Sequence, residues 1–243
     1  MTEVSAVYGN FDFDYKQMSA NELRSKAEKS KKASGKPMEP VMIEGRQIAK
    51  TWWGTAWCDN LEKYADYSNR VGRGKSYVRA GAVIDLKIEG GKTTARVQGS
   101  RTAPYKIEIT IDPLPTERYQ AVLSNLGSRI ENIEALMNGD FPVEMKSLFT
   151  NTTNGLFPSP REIHFSCSCP DWAGMCKHIA AVLYGIGNRL DRDPLLFFVM
   201  RSINVSDFIK RSINEKLSNM LKNADSASPR ILNDNLVGKL FEI

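Results

Sequence analysis

Three cysteines and one histidine fall within a short stretch: Cys167, Cys169, Cys176 and His178. Their order is Cys-x-Cys, six intervening residues, then Cys-x-His. Thiolate sulfur and imidazole nitrogen are donors that zinc prefers, and four of them close a tetrahedron with no open position. Residues i and i+2 on a strand point to one side, so a strand end presents Cys167 and Cys169 together. Ile163 and Phe165 share that parity. Pro170 and Gly174 let the chain reverse, and Cys176 and His178 then enter from the start of a helix. Two other readings compete. One is a set of buried, unliganded thiols beside a core histidine. The other is a redox Cys-x-Cys pair, which leaves Cys176 and His178 without a role. Two paired short spacings in one segment favour one structural zinc. His164 reads as a strand-surface residue and as the alternative fourth ligand to His178.

One Zn²⁺ and three thiolates sum to a net charge of about −1. Such a cluster does not attract phosphate, so contact with nucleic acid has to come from other residues. Two basic segments offer it. The first carries Arg70, Arg73, Lys75 and Arg79 without an acid among them, with Tyr77 as a stacking residue. Gly72 and Gly74 let its backbone approach a partner closely. Arg101, on a loop between strands, joins this patch if the sheet brings them together. The second segment, 21–50, contains Lys29, Lys31 and Lys32 among other cations. Together these residues make a candidate nucleic-acid interface, weighed against an ordinary solvated surface. A phosphate-binding loop at Gly72–Ser76 fails, because the Walker pattern needs glycine at position 69, which is Asn69.

A catalytic constellation does not emerge. A zinc hydrolase needs an open coordination position, and here all four are filled by the protein. The deaminase pattern of His-x-Glu with Pro-Cys-x-x-Cys is missing. Cys58 has no histidine near it in sequence and reads as a packed thiol. The expectation is a protein that is not an enzyme.

The elements that must position these residues follow from periodicity. Trp53, Trp57, Leu61 and Tyr64 lie on one helical face and anchor a core. Val83–Ile88 and Thr93–Gln98 read as strands joined by a Gly90–Gly91 turn. Tyr105–Ile111 alternates apolar and polar residues and completes a three-stranded meander. Asp112-Pro113-Leu114-Pro115 stops the sheet. Helices are expected at Thr116–Leu126, Ser128–Met137, His178–Arg189 and Ser206–Lys222. The Leu195–Met200 run reads as core first, and as the apolar surface of a protein adaptor second. The expected organisation is 1–50, an acidic lead-in and a mobile basic arm starting as a short helix near Ala20–Lys32; 51–155, an α+β domain; and 156–243, a zinc-stapled β-hairpin and helix module with C-terminal helices.

Composition sets the outer bounds. The chain has 243 residues, 42% hydrophobic and 25% charged, which excludes collagen, coiled coil and wholesale disorder. The net charge of +5 permits an anionic partner without demanding one. The acidic N-terminus lacks the pattern of a signal peptide, and no apolar run reaches the ~18 residues of a membrane span. A cytoplasmic location is expected.

The segment from Ile163 to Ile186 resembles the SWIM zinc finger, whose pattern is Cys-x-Cys, a spacer, then Cys-x-His. The resemblance extends upstream, through Trp52-Trp53-Gly54 with Trp57, Leu61 and Glu62. It continues through Arg73-Gly74-Lys75-Ser76-Tyr77 with Arg79, then Val97-Gln98-Gly99-Ser100-Arg101 and Pro104-Tyr105. These runs look like the upstream domain of prokaryotic SWIM-finger proteins, which are often linked to Swi/Snf-type ATPases. By position the resemblance implies Cys167, Cys169, Cys176 and His178 as zinc ligands. It implies DNA or a protein as partner. The leading expectation is nucleic acid, DNA or RNA, and the alternative is an adaptor for a Swi/Snf-type ATPase or a large ribonucleoprotein.

Overall fold

A computed structural model describes residues 18–62, 68–127, 143–151, 153, 155–171 and 173–224. The expected helix at Ser128–Met137, the acidic lead-in and Tyr64 lie outside the described residues. The architecture is α+β, with a four-stranded antiparallel sheet in the order β1-β2-β3-β4: Val83–Glu89, Lys92–Val97, Tyr105–Ile111 and Ile163–Cys167. The β1–β2 turn uses Gly90 and Gly91 at φ of 44° and 79°, the left-handed conformation that a tight hairpin requires. In β3, Tyr105, Ile107, Ile109 and Ile111 face inward while Lys106 and Glu108 face solvent.

β4 takes β3 as its partner, with Cys167 opposite Ile107 and Ile163 opposite Ile111. The strand of the cysteine segment therefore forms no hairpin of its own. It is the edge of the upstream sheet, and one core runs from Leu23 to Phe208 across the expected boundary at 155/156. The physical reason is that β4 is five residues long and cannot bury its apolar side alone.

The helices cover the inner face of the sheet. They are α1 (Ala20–Ala33), α2 (Trp52–Glu62), α3 (Ser68–Arg79), α4 (Thr116–Gly127), α5 (Lys146–Thr150), α6 (Lys177–Leu190), α7 (Leu196–Met200) and α8 (Val205–Ala224). α6 is the central one. Every residue from His178 to Gly187 is buried. Trp57 and Trp53 of α2 donate their indole N–H groups to the carbonyls of Leu183 and Leu190, each at 2.9 Å. The tryptophans are thus core anchors. Asp191, just past α6, accepts the amides of Lys50 and Thr51 at 2.6 and 3.1 Å and so fixes the entry to α2.

The basic stretch expected as a mobile arm is packed. Ser19 and Glu22 form a capping box at the start of α1, and Leu23 and Ala27, one turn apart, are buried. Ser30 donates to Gln98 at 2.6 Å, and Lys26 donates to the Ser100 carbonyl. Beyond α1, the Val41 amide donates to the Val83 carbonyl, covering the free edge of β1. Two apolar residues one turn apart suffice to dock a polar helix when a sheet edge is beside it.

The 70–79 segment, expected to hold its glycines for a partner, is α3, and it lies against α6. A Cβ at Gly74 would sit 2.5 Å from the Ala180 Cβ and 3.0 Å from the Ala180 carbonyl carbon. The close approach belongs to helix packing within the chain. Alanine at position 74 gains helix propensity of roughly 0.5–1 kcal/mol. The clash is with a backbone and a rigid methyl, and overpacking costs about 1–3 kcal/mol. Gly74→Ala is therefore expected to lower the urea midpoint, whereas Gly72→Ala, with nothing within 4 Å, raises or preserves it.

The Leu195–Met200 run is core, with Phe197, Phe198 and Met200 buried among Trp57, Phe149 and Phe208. No described helix is long and apolar enough to cross a membrane.

Candidate metal centre

The end of β4, the turn after it and the first turn of α6 meet at the open end of the sheet. Cys167 is the last residue of β4, Cys176 the N-cap of α6 and His178 in its first turn. The turn is pinned by the Ser168 amide on the Lys106 carbonyl (3.0 Å) and the Lys106 amide on the Ser168 hydroxyl (2.9 Å). The donor atoms of Cys167, Cys169, Cys176 and His178 all lie within 4.8 Å of one another. His178 Nδ1 stands 4.0 Å from Cys167 Sγ and 3.9 Å from Cys176 Sγ. A zinc tetrahedron with arms of about 2.0–2.3 Å has edges of roughly 3.5–3.8 Å. The four donors surround a space that one zinc ion fits, the two His178 pairs closing by about half an ångström and the widest pair by up to about 1 Å.

Thiol ionisation is uneven. The Cys176 thiol is held well below its ordinary value, first by hydrogen bonding from Cys167 and then from His178, against the opposing effect of burial. The Cys167 thiol is pushed up, first by its hydrogen bond to Cys176 and then by burial. Burial also raises Cys169. Thiols must lose their protons when a metal binds, and of the three Cys176 is the one whose surroundings favour the thiolate. Zinc affinity should rise with pH and fall as pH falls. Calorimetry in buffers of different ionisation enthalpy should show net proton release on zinc binding near pH 7.

The ring of His178 is 3% exposed and lies between two tyrosines. Tyr105 stacks on it at a centroid distance of 4.2 Å and 28°, and Tyr77 meets it edge-on at 5.4 Å. Its Nε2 is buried without a hydrogen-bond partner among the described residues. His164 is exposed and pairs with Asp112 at 3.0 Å, so it takes no part in the cluster.

Several of the expected nucleic-acid residues have partners within the chain. Arg70 pairs with Asp171 at 3.0 Å. Lys75 pairs with Glu62 at 2.7 Å and lies over the Tyr184 ring. Arg79 is exposed, and its Nε donates to the Arg46 carbonyl at 3.1 Å. Tyr77 is half-buried and meets His178 edge-on at 5.4 Å. Arg101 is exposed over the Tyr105 ring. On α1, Lys29 and Lys32 are exposed and Lys31 pairs with Glu28 at 2.5 Å.

Lys177 is the residue that sequence reasoning missed. It sits between two ligands and lies over the Tyr77 ring at 5.8 Å. Burial, and then the charge of Arg73, hold its ammonium below the ordinary value; Arg70 adds to this and Asp171 opposes it. Its place inside Cys176-Lys177-His178 was the available signal.

Comparison with known proteins agrees with this geometry. The SWIM zinc finger family matches residues 161–185. The uncharacterized protein Rv2102 of Mycobacterium tuberculosis is 35% identical over 182 residues, a match that spans 71% of this chain and 65% of that relative. No solved structure matches. With the family's motif falling on the four converging donors, this protein carries a SWIM-type zinc finger that binds one zinc ion.

Proposed function

We propose that the finger is the structural centre of a nucleic-acid-binding module, with the cations around the start of α6 as its contact face. One observation carries this reading: half-buried Lys177 sits between the ligands Cys176 and His178, over the Tyr77 ring at 5.8 Å, with Arg73 and Arg70 near enough for their charges to act on it. Among the described residues Asp171, on Arg70, is the acid in ion-pair contact with the three. Crowded like charges repel, and a phosphate between them turns that repulsion into attraction. The zinc supplies the fold of this face and no reaction.

Duplex DNA binding measured over a salt series tests it. Six neutralised phosphates give a slope of log K on log salt near −5, and losing two contacts lowers it by about 1.8. Arg73→Glu with Lys177→Glu is expected to abolish binding at physiological salt. Unchanged affinity in that variant would contradict the assignment.

An exposed apolar stripe on the far half of α8, Ile213, Leu217, Met220 and Leu221, favours a second reading as a protein adaptor. In that case Leu217→Glu releases the partner and leaves DNA affinity intact.

A further inference from the structure

The zinc-ligating histidine is the middle of a row of rings, stacked on one side and met edge-on from the other. Lys177 Nζ lies 5.8 Å from the Tyr77 ring centre; Tyr77 meets His178 at 5.4 Å. On the other side Tyr105 stacks on His178 at 4.2 Å, and the Arg101 guanidinium lies 5.3 Å over Tyr105. The order is cation, phenol, imidazole, phenol, cation. Lys177 belongs to the finger itself, between two ligands, whereas Arg101 comes from the β2–β3 loop and meets the finger through Tyr105.

Ring faces attract cations, and each tyrosine fixes where its cation rests. Each tyrosine in turn is fixed by the His178 ring, whose orientation zinc sets through Nδ1. Tyr105 is buried and Tyr77 half-buried, so neither ring is offered to a base. Lys177 and Arg101 form no ion pair with a described carboxylate. A cation without an ion-paired carboxylate, held over an aromatic ring, is preorganised for an anion.

We propose that Lys177 and Arg101 are phosphate contacts, and that Tyr77 and Tyr105 are positioning residues linking them to the zinc-bound His178. This rests on the nucleic-acid reading above and narrows it. The finger reads the phosphodiester backbone, without base stacking, and zinc loading sets the geometry of two contacts.

The test uses the zinc-loaded full chain and a duplex DNA of about 20 base pairs, titrated from roughly 50 to 300 mM KCl. Lys177→Gln and Arg101→Gln should each reduce the magnitude of the slope by about 0.9, and the double substitution by about 1.8. Tyr77→Phe keeps the ring and should keep the wild-type slope. Tyr77→Leu should lower the slope toward that of Lys177→Gln while zinc stays stoichiometric. A purely structural tyrosine would change stability and leave the slope alone. Wild-type slopes in Lys177→Gln and Arg101→Gln overturn this proposal and leave the wider basic face standing. A wild-type slope in Tyr77→Leu overturns the positioning role. Absence of salt-dependent binding by the wild type overturns both this proposal and the reading beneath it.

Discussion

Cys176→Ser is expected to cost the protein its zinc and most of its stability. Cys176 is 1% exposed, caps α6 and stands 3.9 Å from His178 Nδ1. Structural zinc contributes roughly 10–16 kcal/mol of apparent binding free energy in finger peptides. Whole domains are stable by only about 5–15 kcal/mol. Because β4 belongs to the main sheet and α6 to the main core, the loss does not stay local. A deficit of about 5 kcal/mol lowers the melting temperature of a chain this size by roughly 10–20 °C. Cys58→Ala is the control. That thiol is also buried, and burial, followed by nearby carboxylates, pushes it up to about 12, so it stays neutral and outside the cluster. It should keep full zinc and melt within a few degrees of wild type. Equal melting of the Cys176→Ser protein and wild type would contradict a structural metal.

The second large effect lies away from the metal. Arg201 is 2% exposed, and its Nη2 donates to Glu162 Oε1 at 2.6 Å. Arg118 donates to both oxygens of the same carboxylate at 3.0 and 3.1 Å, and the Ser159 amide donates at 2.7 Å. One carboxylate therefore balances two guanidinium groups, one of them fully buried. Removing it leaves a buried charge without compensation, which costs about 3–5 kcal/mol. Glu162→Gln keeps the shape and should still show this loss in urea unfolding at neutral pH. Replacing Glu162 and Arg201 together by apolar residues of similar volume should be far less harmful, since the desolvated charge goes with its partner.

The pH dependence has a definite sign. Burial opposes ionisation of Glu162, but the Arg201 hydrogen bond and those from Ser159 outweigh it and hold the group at about 2. A carboxyl depressed in the folded state stabilises fully above its ordinary value near 4.5, and that contribution fades as pH falls toward 2. The stability gap between wild type and Glu162→Gln should therefore be constant above about pH 5 and narrow below it.

The metal ligands were legible in the sequence because zinc chemistry fixes both residue type and local spacing. The β1–β2 turn was legible for a similar reason, since Gly90–Gly91 supplies a backbone conformation that few other pairs allow. The stripe of Ile179, Val182, Leu183 and Ile186 marked α6 before its surroundings were known. What stayed hidden is long-range. Gly72 and Gly74 lower the helix propensity of 70–79, and only the fit of Gly74 on Ala180 explains why a helix forms there. The pairing of β4 with β3 joins residues more than fifty positions apart, and no local pattern encodes it. Tyr77 and Tyr105 looked like surface and strand residues; their common partner, His178, appears only when the sheet and α3 meet at α6. The charges of 70–79 were visible, but the acids that engage Arg70 and Lys75 lie in the finger turn and on α2.

X-ray absorption at the zinc edge tests the central claim most directly. The account predicts one zinc per chain, with three sulfur neighbours near ~2.3 Å, one nitrogen near ~2.0–2.1 Å and no light-atom water shell. Fewer than three sulfurs, or an oxygen of water in the inner sphere, would contradict a closed structural centre.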